Sequence, residues 1–127
     1  MSVKDGDTYT LKVKNYPTFN VSTVISPEAR KKGLSGRSTL ASGTGLLFIF
    51  DVLSYQSMWM PDMNFALDII WLDENMRVVN VNYNVQPCES DNCPSYPSVK
   101  LVKYAIEMRA GDANKYGLVN DNDIGVI

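Results

Sequence analysis

Apolar and polar residues alternate along much of the chain, and the period is two. From Thr8 to Lys14, Tyr9, Leu11 and Val13 fall on one side, and Thr8, Thr10, Lys12 and Lys14 on the other. That pattern predicts a half-buried β-strand. Pro17 interrupts it, and Phe19, Val21, Thr23 and Ile25 resume the alternation. Ser26-Pro27-Glu28 reads as a helix start, with Ser26 as N-cap and Pro27 in the first turn. Gly33 then ends a short helix over residues 27–32. Leu46 to Phe50 is apolar throughout and predicts a buried strand. Ser57 to Met60 predicts a strand stopped by Pro61.

Phe65 to Leu72 is apolar on both faces, which predicts a central strand. Asp73-Glu74-Asn75 reads as a hairpin turn. In Arg77 to Val85, valines and Tyr83 alternate with Asn80, Asn82 and Asn84, so the asparagine face is expected to be wet. Val102, Tyr104, Ile106 and Met108 oppose Lys103, Ala105, Glu107 and Arg109 in a further half-buried strand. Asp112 to Tyr116 predicts one helical turn, and residues 119–127 a loop and a short last strand. Seven or eight short strands with little helix predict an all-β fold, a compact antiparallel barrel or sandwich. One domain over residues 1–127 is expected, with residues 1–7 flexible.

Composition narrows the chemistry. The chain has 127 residues, of which 45% are apolar and 20% charged, with a formal net charge of −2. These values argue against disorder, and a pI near 5 against a nucleic-acid binder. The chain has no histidine, which excludes imidazole bases and ligands. No apolar run is long enough for a membrane-spanning helix. The glycines between Gly33 and Gly45 fit neither a dinucleotide nor a P-loop pattern, and the segment reads as a turn into the next strand.

Cys88 and Cys93 are the two cysteines. No further thiolate or imidazole exists to complete a metal site, and the redox C-x-x-C spacing is absent. The reading favours a disulfide that pins a loop, worth about 2 kcal/mol for so small a ring, over two reduced thiols. The first residues carry no hydrophobic signal region. That fits a cytosolic or phage product, and equally a mature exported domain. A disulfide favours the cell envelope or a virion surface.

Gly33-Leu34-Ser35-Gly36-Arg37, Gly45 to Phe50, Met58 to Asp73 and Tyr104 to Gly111, in this order and spacing, resemble the DUF192 family. The resemblance spans roughly residues 20–127. It implies a compact, β-rich, barrel-like domain of small and often exported proteins, mostly bacterial and archaeal, and it implies no activity. On its motifs, Arg37 matches an arginine after Gly-Leu, and Trp59-Met60 an aromatic-Trp-Met signature. Asp68 matches the Leu-Asp-Ile aspartate, and Glu107 and Gly111 match a Leu-Glu-x-x-x-Gly segment. Asp62 stands where asparagine is common, and Asn122-Asp123 where Gly-Asp is usual.

Asp68 lies among apolar neighbours, and a buried carboxylate must be paired or hydrogen-bonded. Arg37 is the expected partner, in a bidentate lock; Glu107 belongs to the same candidate site. The other reading makes Asp68 a general acid or base. Asp62, Asp68 and Glu107 are also candidates for a two-carboxylate glycosidase pair. Trp59, Met60 and Asp62 form a candidate binding surface. Met58, Trp59, Met60 and Met63 read as core filling or as a hydrophobic ligand mouth. Tyr55, Tyr83, Tyr96 and Trp71 are core residues or a stacking platform for a sugar.

The favoured function is a non-catalytic binding or accessory domain, with a protein, small ligand or glycan as partner and no cofactor or metal. The alternatives are a structural interaction protein, such as a phage capsid decoration subunit or another homo-oligomer, and an enzyme using Asp68.

Overall fold

A computed structural model describes residues 3–35, 37–59, 63–88 and 92–127. The strands are β1 (Thr8–Val13), β2 (Phe19–Val24), β3 (Thr44–Ser54), β4 (Ser57–Trp59), β5 (Leu67–Leu72), β6 (Val78–Val85), β7 (Ser95–Pro97), β8 (Val102–Arg109) and β9 (Ile124–Val126). Helix α1 spans Pro27–Lys32, as the Ser26-Pro27 start predicts, and α2 is one turn, Asp112–Lys115. The Ser26 side chain accepts the Ala29 N–H, which satisfies one of the free donors at the start of α1.

Seven strands form one curled, half-barrel sheet in the order β6-β5-β8-β3-β2-β1-β9. The all-β expectation holds, with one exception to antiparallel pairing. Strand β2 runs parallel to β3, from Asn20 opposite Thr44 to Val24 opposite Phe48. Parallel neighbours need a long crossover, and the segment containing α1 supplies it. Strands β4 and β7 form a separate two-stranded ribbon.

The sheet carries a core on each face. The concave side holds Leu11, Phe19, Leu47, Ile70, Leu72, Ile106, Met108 and Leu118. Its ends are drawn together at an isolated bridge between Arg77 and Asp123, and α2 lies against β5 and β8. The other side holds Leu34, Phe48, Phe50, Met63, Leu67, Ile69, Trp71 and Ala105. Two-sided burial explains why all six residues of β5 are buried. Close strand packing requires Gly45, because a Cβ there would stand 2.6 Å from the Glu107 carbonyl oxygen.

The asparagine face of β6 is not simply wet. Trp71, fully buried, donates its indole N–H to Asn82 Oδ1 at 2.8 Å. Asn80 donates to the Ser98 carbonyl at 3.0 Å. A buried indole needs an acceptor, so these asparagines serve the second core. Burial also removes Trp71 from any sugar-stacking platform.

Candidate functional site

Two buried carboxylates sit on adjacent central strands. In the β5–β8 register, Asp68 lies opposite Met108, and Ile69 opposite Glu107. Because successive side chains on a strand alternate between faces, Asp68 points to the concave core and Glu107 to the other. The two cannot flank one bond, so an Asp68–Glu107 glycosidase pair is ruled out by geometry. Asp62, the third candidate, lies outside the described residues, as does Met60. Trp59 closes β4 opposite Ser95.

Asp68 is 1% exposed. Its Oδ1 accepts the Asn84 N–H at 2.9 Å. Its Oδ2 accepts the N–H groups of Gly111 at 2.9 Å and Ala113 at 3.0 Å. The first bond holds Asn84 at φ 51°, where the β5–β6 register shifts. The other two hold the start of α2. The expected Arg37–Asp68 lock is therefore not formed. Arg37 is exposed, and its carbonyl accepts from the Asn64 side chain at 2.7 Å. Backbone donors do what the arginine was expected to do. They need no counter-charge and engage both oxygens of the carboxyl.

Glu107 is the opposite case. It is 5% exposed, and its Oε1 is buried with no hydrogen-bond partner. The flanking strands present Leu46 and Ile69 opposite it. Burial alone pushes its carboxyl up to about 7, because desolvation penalises the charged form. A Cβ on Gly33, at φ 47°, would come within 3.4 Å of Oε1 and 3.5 Å of Phe48 Cζ. The turn after α1 thus lies directly over the carboxyl.

Glu107 lines a cleft of about 890 Å³. Its apolar wall is Leu34, Phe48, Phe50, Met58 and Met63. Phe50 has two ring contacts: Trp71 stacks on it at 6.5 Å between centroids, and the Arg30 guanidinium stands 6.0 Å from its centroid. The lip forms where β3 leaves register with β8 between Ile49 and Ser54. Lys103 Nζ caps that irregularity by donating to the Phe50 and Asp51 carbonyls. The rim carries Glu28, Arg30, Lys31 and Lys32 from the α1 region and Asp51 from β3, with Arg30 and Asp51 paired at 3.7 Å. Met58 and Met63 fill core, as one reading made for them has it: Met63 lies in the second core and Met58 packs against it, and both line the cleft.

Cys88 and Cys93 form a disulfide. It sits between β6 and β7, whose partner β4 contributes Met58 to the cleft. No group of three metal-ligating side chains occurs among the described residues. No helix there is long and apolar enough to cross a membrane.

Sequence reasoning ranked Glu107 below Asp68. Alternation along β8 puts Glu107 on the face of Lys103, Ala105 and Arg109, so its burial carried no signal in the pattern, and only its place in the Leu-Glu-x-x-x-Gly segment singled it out.

A model of the DUF192 family, described as "Uncharacterized ACR", matches residues 9–126. No curated protein matches the chain significantly. The fold is similar to that of a "putative transcription regulator" from Sinorhizobium meliloti 1021. The TM-score is 0.82 and the identity 22%, with 98% of each chain covered. It is also similar to a protein of unknown function from Novosphingobium aromaticivorans DSM 12444. There the TM-score is 0.81 and the identity 21%, over 93% of this chain and 83% of that one. At these identities the likeness is one of fold.

Proposed function

This chain belongs to the DUF192 family, and we propose that it is a non-catalytic binding domain whose small ligand enters the Glu107 cleft. One observation carries the reading: Glu107 Oε1 is buried and unpartnered in a residue that lines a cleft with an apolar wall of Leu34, Phe48, Phe50, Met58 and Met63 and further polar lining from Ser35, Ser54, Gln56 and Ser57. A buried polar atom without a partner costs about 1–3 kcal/mol. Folding alone gives no return for that cost, whereas a ligand that bonds to the carboxyl does. An apolar wall with a few polar groups among it is the ordinary make-up of a ligand pocket. The Cys88–Cys93 disulfide supports a location outside a reducing compartment, in keeping with an accessory role at the cell envelope.

Methyl-labelled methionines provide the test. Binders from a library of small neutral fragments should shift the Met58 and Met63 methyl signals and leave Met108, on the opposite face, unmoved. Binders that shift only other surfaces, or a library with none, would overturn the assignment.

A second reading, an interaction protein, draws on the exposed apolar residues beside the cleft, whose lining includes Val52. Val52 and Tyr55, each more than 60% exposed, lie beside Val99 and Leu101. The Ser54–Val102 pairing and the Ser98 N–H to Gln56 carbonyl bond bring the two segments together. Exposed apolar patches of this kind mark contact surfaces.

A further inference from the structure

Resting on the cleft as a binding site, we infer that its ligand is a neutral amphiphile. Its buried end carries a hydrogen-bond donor and an acceptor together, as a primary amide does, and its body is apolar.

The buried end is set by Glu107. A protonated carboxyl donates one hydrogen bond and accepts another in one plane. The complementary group offers both, side by side, and a primary amide does so without a charge. It would supply the partner that Oε1 lacks, and reaching Oε1 requires the Gly33 turn that covers it to give way. The body is set by Leu34, Phe48, Phe50, Met58 and Met63, which reward apolar contact at about 25 cal/mol per Å² buried.

The charges around the cleft argue against both kinds of ion. From the α1 region come Glu28, Arg30, Lys31 and Lys32, and from β3 comes Asp51. The strands beside Glu107 present only Leu46 and Ile69 opposite it. A cation would pass three basic groups against two acidic ones. It would then require Glu107 to ionise where burial opposes ionisation. An anion would be buried beside Glu107 without a counter-charge. Arg30 is already engaged by Asp51 and by the Ile49 carbonyl, and Lys31 and Lys32 are exposed on the rim.

Four probes sharing a phenylpropyl body separate the cases: 3-phenylpropanamide, 3-phenylpropylamine, 3-phenylpropanoate and propylbenzene. Each is titrated into the full chain and its Glu107→Gln and Glu107→Leu variants, at about pH 6 and about pH 8.5. Calorimetry gives the affinity and the Met58 and Met63 methyls the site. Glutamine keeps a donor and an acceptor, so it mimics the protonated carboxyl. At the lower pH the amide should bind about tenfold or more tighter than the amine or the carboxylate, a difference of one decade in Kd. Its binding to the wild type should weaken about tenfold at the higher pH as Glu107 ionises. It should be retained and pH-independent in Glu107→Gln, and fall about tenfold in Glu107→Leu, where propylbenzene binding persists.

Tightest binding by the amine, stronger at high pH and lost in Glu107→Gln, would overturn the inference while leaving the cleft reading intact. So would tightest binding by the carboxylate. If no probe, propylbenzene included, shifts Met58 and Met63, the cleft reading fails and the inference with it.

Discussion

Asp68 and Glu107 are one register step apart on neighbouring strands, and both are almost fully buried. Asp68 receives three backbone N–H groups. The Oε1 of Glu107 receives nothing. The first arrangement holds a strand irregularity and the start of a helix together, and it engages both oxygens of the carboxyl. The second gives the fold no bond and keeps a polar group ready at a cleft. Burial alone therefore does not mark a functional carboxylate. What separates the two is whether the protein has already met the group's hydrogen-bonding capacity.

The largest effect should come from breaking the satisfied member. Asp68→Ala leaves the N–H groups of Asn84, Gly111 and Ala113 without their acceptor. The expected loss is about 4 kcal/mol, read as a fall in unfolding midpoint of more than about 10 °C. A loss below about 1 kcal/mol would mean that these donors find other partners and that Asp68 is not a structural tie.

Glu107→Gln should act in the opposite direction and depend on pH. The carboxyl is raised from 4.5 to about 7 in the folded protein, so the folded state binds its proton more tightly than the unfolded chain. Its contribution to stability is thus constant below about pH 4.5, falls as pH rises toward 7, and levels off above that. The total fall is of the order of 3 kcal/mol. Glutamine cannot ionise. The variant should match the wild type near pH 4 and exceed it by up to about 3 kcal/mol at pH 8 in denaturant titrations. Parallel curves for the two proteins would mean that folding leaves the Glu107 carboxyl unshifted, and the account of an unpartnered buried carboxyl would fall.

The parts legible in the sequence are those with a period or a cap. Alternation from Thr8 marks β1, and from Val102 it marks β8. Ser26-Pro27 and Gly33 bracket α1, and the short cysteine spacing foretells the bridge. The parallel pairing of β2 with β3 was not legible, because alternation reports which face is buried and not which way a neighbour runs. The partner of Asp68 was missed for a different reason. Side chains can be matched by charge, and that pointed to Arg37. The actual donors are main-chain N–H groups, which carry no residue signature. Glu107 was legible as a position in a family motif, but its lack of a partner is a property of the folded surroundings: Gly33 above, Leu46 and Ile69 alongside.

The most direct measurement is a pH titration of the Glu107 carboxyl carbon by NMR. A Glu107 midpoint close to 7 is expected, as for a buried carboxyl with no donor or positive partner. A midpoint at or below the ordinary glutamate value of about 4.5 would show that Glu107 is hydrogen-bonded or solvated after all, and the distinction between the two carboxylates would fall.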